Sequence, residues 1–404
     1  MTGLPDESRL LPSGEEAGTA PDDRRFRPDV EGLRAVAIVL VVLFHAGVPH
    51  VQGGYVGVDV FFVISGFVIT GLLLRERAGT GGTSLGAFYA RRARRILPAA
   101  VLVIVVTLVA TALLLDSADA RIAASDGRWT AGFLANYHLA HVLPNILVDR
   151  FDPFGQFWSL AVEEQFYLFY PAFFIGLLLL ARRTGTAANY NGRRTLAVGL
   201  GMVTVASFAL AVSTSHLGLL GPYDSPFTRA WELCTGALVA LSSFALRRVP
   251  TVLAVIGTWI GMAMILSAAI AYNLLTVYPG YAAALPVAGA ALVIAMGTSV
   301  PPAGVESMLR VAPFQWVGRL SYSWYLWHWP VLVLFFSYKA KSLESTPVAT
   351  RLAIEVGALG LAVCTYYFVE NPVRHSLFLV SSPRATGIGA ALLVGSCVAL
   401  TYAF

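Results

Sequence analysis

Apolar and polar positions alternate along this chain on the scale of whole elements. Apolar runs fall at about 33–49, 56–74, 96–115, 157–180, 195–213, 229–246, 251–270, 281–298, 317–337, 350–369 and 386–403, divided by segments rich in arginine, glycine and proline. An unbroken apolar helix of about 20 residues spans a hydrocarbon core of roughly 30 Å. The pattern predicts an all-α, polytopic transmembrane helix bundle with ten core helices and an eleventh at 378–404. Residues 1–25, rich in Gly, Pro, Asp and Glu, cannot bury enough apolar surface to fold and are predicted to be a disordered tail.

Composition supports the membrane reading. Hydrophobic residues make up 57% of the chain and charged residues 13%, against about 25% charged in soluble domains. The net charge of +5 does not point to nucleic acid, because the basic residues lie between spans and form no basic domain. Cys234, Cys364 and Cys397 sit in apolar segments without CxxC spacing, so they read as buried hydrophobes and no metal site is expected.

The arginines orient the bundle. With the N-terminus inside, Arg24, Arg25, Arg27, Arg75, Arg77, the Arg91–Arg95 cluster, Arg182, Arg183, Arg193, Arg194, Arg247, Arg248, Arg310, Arg374 and Arg384 all fall on the cytoplasmic side. Lys339, Lys341 and Arg351 oppose this, and the segment from Asp116 to Asp152 on the other side, although it holds Arg121, Arg128 and Arg150, is net acidic. The expected localisation is a multi-pass protein of the cell membrane, N-terminus cytoplasmic and C-terminus extracytoplasmic. The chain stops at Phe404 at the edge of an apolar run. Either the last helix closes the protein or a longer parent continues into an extracytoplasmic domain.

Ionisable residues inside spans are costly and mark candidate sites. Arg34 and the cluster Arg91, Arg92, Arg94 and Arg95 are expected on the inner side, with Glu370 beside them. His45, Asp59, Glu163 and Glu164 are expected toward the outer side. Guanidinium forks match phosphate, and a helix start at FYARRARRI would add free backbone N–H groups, which suggests a phosphorylated cytoplasmic donor such as coenzyme A. The imidazole of His45 can deprotonate a hydroxyl or briefly carry the acyl group itself, two roles the sequence does not separate, with a carboxylate (Asp59, Glu163 or Glu164) to fix its tautomer. His328, within the aromatic WYLWHWP, reads as structural, at a membrane interface where Trp and Tyr collect.

The stretches RPDVEGLRAVAIVLVVLFH, GGYVGVDVFFVISGFVIT, FYARRARRILP, WSLAVEEQFYLFYP and SYSWYLWHWPV, with the VENPVR ending, together resemble the acyltransferase 3 family of integral membrane acyltransferases. The resemblance makes 26–377 the membrane acyltransferase domain. It implies transfer of an acyl group, acetyl from acetyl-CoA above all, to a hydroxyl of a cell-surface glycan or another extracytoplasmic or lipophilic acceptor. No tightly bound cofactor is implied; acyl-CoA is a substrate, and membrane lipid is a partner. By resemblance, His45 matches the essential histidine, Arg34 the arginine of the GLR motif, Arg92 and Arg95 the RxxR pair thought to engage the donor, and Glu370 the acidic residue of the ENP-like motif. Arg91 and Arg94 form a second RxxR, so the pair in use is open at this level. Some members continue from an eleventh span into an extracytoplasmic SGNH-type domain, a candidate partner expected to lie outside residues 1–404. Two other readings fit buried His, Asp and Arg: a transporter or flippase of a glycan or lipid-linked metabolite, and a sensor in which the histidine is a pH switch.

Overall fold

The computed structural model describes residues 27–142, 151–183, 189–215, 223–301, 303–339 and 345–403; the tail predicted over 1–25 lies outside them. Among the described residues the fold is all-α. In chain order the helices are α1 (Pro28–His45), α2 (Gly57–Thr80), α3 (Leu85–Leu114), α4 (Ser117–Ala131), α5 (Ala135–Val142), α6 (Phe157–Arg183), α7 (Asn189–Ser215) and α8 (Pro226–Leu246). There follow α9 (Thr251–Ala271), α10 (Ala284–Met296), α11 (Val305–Leu309), α12 (Ala312–Lys339) and α13 (Val348–Thr365). A π-helical turn (Tyr366–Glu370) leads into α14 (Asn371–Arg374), α15 (Leu377–Ser381) and α16 (Pro383–Leu400).

Each apolar run of the sequence falls on a helix. Among the described residues, 7 helices are long and apolar enough to cross a membrane: those at 54–80, 85–114, 157–183, 192–215, 251–271, 348–381 and 383–400. The helices α1, α8, α10 and α12 fall short of that standard because they are shorter or carry polar and charged residues. Phe169, Val205, Val252 and Phe368 point outward from the bundle, as expected of faces that meet lipid. This is a multi-pass membrane protein.

The start of α3 differs from the sequence expectation. The helix begins at Leu85, capped by the Ser84 hydroxyl, which accepts from the Ala87 N–H at 3.3 Å. Arg91–Arg95 therefore lie beyond the first turn, and their backbone N–H groups belong to the intrahelical ladder rather than to a free helix end. An anion can meet this cluster only through its side chains.

Helix α1 lies at the centre, packed against α2, α11 and α12. Its Leu33, Ala37 and Leu40 join a core with Val60, Val63 and Ile64 of α2 and Ile265, Val287 and Ile294 of α9 and α10. Helix α2 lies so close to α8 that a Cβ on Gly66 would come within 1.7 Å of the Leu233 carbonyl oxygen, and one on Gly236 within 1.9 Å of the Val63 carbonyl oxygen. Small residues allow such backbone approach between membrane helices. Gly66→Ala is expected to lower thermal stability in detergent by about 1–3 kcal/mol or more, since a backbone carbonyl cannot move aside as a side chain can. Gly79→Ala, also in α2 but with nothing within 4 Å of its Cβ, is the control. Equal melting of the two variants would refute the close contact.

Candidate active site

Between α1, α2, α3, α6 and α12 lies a pocket lined by Arg34, Ser65, Arg92, Arg95, Glu163, Glu164, Tyr167, Ser321, Tyr322 and Tyr325, with Ser159 and apolar side chains. Its polar groups are partly committed to one another. Arg34 donates through Nε and Nη2 to the Ser321 hydroxyl, at 3.1 and 2.9 Å. Glu163 accepts hydrogen bonds from the hydroxyls of Ser65 and Tyr167. The Arg92 guanidinium lies 3.7 Å from the centre of the Tyr167 ring, a cation–π contact.

Other groups in the pocket are uncommitted. Arg95 has no hydrogen-bond or ion-pair partner among the described residues. Nε of Arg92 and Oε1 of Glu164 are buried without a partner. Buried polar groups are paired in the large majority of cases, so a pocket that leaves guanidinium donors unpaired is suited to a ligand that accepts from them. Glu370, buried in the π-helical turn, accepts from Ser323 at 2.7 Å and lies within electrostatic range of Arg95, Arg34 and Arg374. It stands behind the arginines and does not line the pocket. π-turns are frequent at functional sites.

Helices α1 and α12 run in the same direction. Arg34 meets Ser321, and further along His45 meets His328, their ring centres 5.0 Å apart. Eleven residues of helix separate Arg34 from His45, about 16 Å at 1.5 Å per residue. The pocket and the histidines are thus at different depths, with Tyr325 between them. Its ring lies 5.2 Å from that of His328, and its hydroxyl meets Ser159 at 2.6 Å on the pocket wall. His45 is half-buried, flanked by Phe44 and Trp329 at 4.9 Å. Its Nδ1 lies 2.9 Å from the Val41 carbonyl oxygen. A carbonyl only accepts, so Nδ1 carries the proton and Nε2 presents a lone pair.

The expected outer cluster of carboxylates around His45 does not form. The partner that fixes the imidazole is the Val41 carbonyl, one turn back on the same helix, and none of Asp59, Glu163 and Glu164 bonds to it. Glu163 and Glu164 lie nearly two turns into α6 and face the arginines instead. Asp59 is held by Arg229 of α8, whose Nη1 donates to Asp59 at 3.0 Å and to Glu232 at 2.9 Å. Of the cluster in α3, only Arg92 and Arg95 face the pocket. Arg91 pairs with Glu76, at 2.6 Å, and Arg94 donates to the Leu379 carbonyl and to Thr386, at 2.9 and 3.2 Å. Position 91, four residues before 95, shares its side of the helix, so the two pairs are separated by the partners their side chains reach, Glu76 for Arg91 and Leu379 and Thr386 for Arg94.

The Acyltransferase domain family matches residues 27–367. The chain belongs to this family. A peptidoglycan O-acetyltransferase of Listeria monocytogenes is 29% identical over 375 residues, covering 88% of this chain and 57% of the relative. A Bacillus subtilis protein that carries a peptidoglycan O-acetyltransferase name is 30% identical over 390 residues, covering 89% of this chain and 57% of its own length. A Staphylococcus aureus protein named as an O-acetyltransferase is 30% identical over 361 residues, covering 87% and 58%. The chain therefore spans little more than half the length of these relatives. No solved structure matches it.

Three features of this family member escaped the sequence reading. Arg229 and Glu232 were absorbed into an apolar run, although RAWEL places opposite charges three residues apart, on one helix face. Tyr167, an aromatic residue of the WSLAVEEQFYLFYP stretch without a site role in the sequence reading, lines the pocket against Arg92. His328 reads as structural, and only the packing of α12 on α1 brings it to His45.

Proposed function

We propose that this chain is the membrane part of an O-acetyltransferase that takes an acetyl group from acetyl-CoA and passes it to a hydroxyl of a cell-wall glycan. The observation that carries this reading is the pair of guanidinium groups, Arg92 and Arg95, held in one pocket with donors unpaired. Such forks match the phosphates of coenzyme A. The peptidoglycan O-acetyltransferase names of the relatives favour acetyl as the group moved and glycan as its acceptor.

The donor enters from the cytoplasm, the side on which the distribution of arginines puts them. Its phosphates meet Arg92 and Arg95, and its acyl arm extends past Tyr325 toward the histidines. At His45 the Nε2 lone pair takes the proton of the acceptor hydroxyl as the oxygen bonds to the acyl carbon. The carbon–sulfur bond breaks, and the departing thiolate recovers the proton from the imidazolium. The Val41 carbonyl holds the imidazole in the required tautomer throughout.

The binding half is tested by titrating acetyl-CoA into purified protein. Arg92→Ala and Arg95→Ala are each expected to weaken binding about 10- to 100-fold, since a hydrogen bond to a charged group contributes roughly 1.5–3 kcal/mol. Arg91→Ala, whose side chain pairs with Glu76 outside the pocket, is expected to leave affinity within about twofold, as an exposed ion pair contributes little. Equal responses at positions 91, 92 and 95 would overturn the assignment.

A further inference from the structure

At the arginine-rich end of the bundle, α2, α6 and α8 finish and α7 begins around a cleft of about 650 Å³ that shares no lining residue with the candidate active site. Three guanidinium groups line it: Arg77 in the last turn of α2, Arg182 in the last turn of α6, and Arg193 near the start of α7. Among the described residues no carboxylate lines the cleft, and none of the three arginines has an ion-pair or hydrogen-bond partner for its side chain. Glu76, next to Arg77 in sequence, is taken by Arg91 and by the Ser84 N–H. Like charges gathered in this way repel, and an anion from outside the chain relieves them. The floor, by contrast, is apolar. Leu74, Phe174, Leu178 and Leu196 form it, at the edge of a hydrophobic core. Phe174 precedes Arg182 by eight residues on α6, so the apolar wall runs about 12 Å deeper than the cations. The neighbouring helix faces point outward as lipid-facing ones do: Leu179 and Leu180 are each 51% exposed, and Phe244 at the rim is 55% exposed.

We infer that this cleft binds an anionic phospholipid, its phosphate held by Arg77, Arg182 and Arg193 and the upper part of an acyl chain lying along Leu74, Phe174 and Leu178. Cations at the helix ends above an apolar wall repeat the order of a phospholipid from its head inward. Basic pockets between membrane helices take lipid head groups in this way. A soluble phosphate would use the arginines but leave the floor without an apolar partner, and burying that floor is favourable. The lipid would join α2 and α6 to α7 at their charged ends. Helices α2 and α6 also carry residues of the candidate active site, so the lipid would brace that site's frame without entering it. The inference is independent of the acyl-transfer reading.

Two pairs of substitutions separate a built site from a generally basic surface. The purified full chain in detergent is titrated with phosphatidylglycerol, or with phosphatidylcholine of the same acyl chains, and its thermal unfolding is followed. A ligand of the native state raises the melting temperature. Wild type is expected to respond to phosphatidylglycerol at about tenfold lower concentration than to phosphatidylcholine. Arg182→Gln combined with Arg193→Gln is expected to need about 10- to 30-fold more phosphatidylglycerol, the effect of removing two cations at a lipid head group. Arg183→Gln combined with Arg194→Gln removes the same charge from adjacent positions that do not line the cleft, and is expected to stay within about twofold of wild type. All four side chains are exposed, so neither pair removes core packing, and melting without lipid checks the fold. Equal losses in the two pairs overturn the inference, because a basic belt without a site would then suffice. Equal responses of wild type to the two lipids overturn it as well. A cleft pair that loses affinity for acetyl-CoA but keeps its response to phosphatidylglycerol would assign the cleft to the soluble donor instead.

Discussion

His45→Ala is expected to bind acetyl-CoA as tightly as wild type and to release its thiol about 100- to 10,000-fold more slowly, the range that general-base assistance supplies. The separation of the two effects follows from geometry. Arg34, which lines the pocket together with Arg92 and Arg95, lies about 16 Å from His45 along α1, and Tyr325 stands between the imidazole and the pocket. Removing the imidazole disturbs neither Arg92 nor Arg95. In cells the corresponding measurement is base-labile acetate released from purified walls, which should fall to the level of a strain without the protein. Thiol release by His45→Ala at the wild-type rate would end the assignment, since His328 alone would then suffice. A loss of acetyl-CoA affinity equal to the loss of rate would instead place His45 in donor binding.

Arg229→Met is expected to destabilise the protein by about 3–5 kcal/mol, because removing one partner of a buried ion cluster leaves the others uncompensated. Arg229 is 0% exposed and holds two carboxylates that are themselves 1% and 0% exposed. Its guanidinium also lies 4.7 Å from the ring centre of Tyr223 and 5.4 Å from those of Trp158 and Tyr278. These contacts tie α2 and α6 to α8 and to the segments flanking α8 and α10. The combined variant Arg229→Met, Asp59→Leu, Glu232→Leu is expected to regain most of the loss, since apolar replacement of a whole buried cluster is often neutral or better. Thermal unfolding in detergent distinguishes the outcomes. A stable single variant would show that the carboxylates need no cation. A combined variant as unstable as the single one would mean that the cluster contributes geometry beyond charge balance. Asp59 opens α2 near the candidate chemistry in sequence, and its partner makes it part of the frame.

Much of the fold was legible before any coordinates, for a simple reason. In hydrocarbon every backbone group must be paired within the protein, which helices and closed barrels achieve, and unbroken apolar runs of about 20 residues without alternation fit only helices. The runs at 96–115 and 157–180 could not have been strands or loops, and the ionisable residues among the spans had to be either paired or functional. The sequence by itself determined the all-α class, the multi-pass character, the family, and the short set of residues from which a site could be built.

Which of those residues meet was decided only by packing. Side-chain packing around α3 leaves Arg92 and Arg95 to the pocket while Arg91 is taken up by Glu76 and Arg94 by Leu379 and Thr386, a distinction that two overlapping RxxR motifs cannot express. The parallel course of α1 and α12 pairs His45 with His328, although 283 residues separate them. Helix α8, lying against α2, takes Asp59 out of reach of the imidazole by giving it a cation. Sequence states what each segment must bury, because burial depends on composition. Partner choice depends on distances of a few ångströms between segments far apart in the chain, and those exist only once the helices are packed.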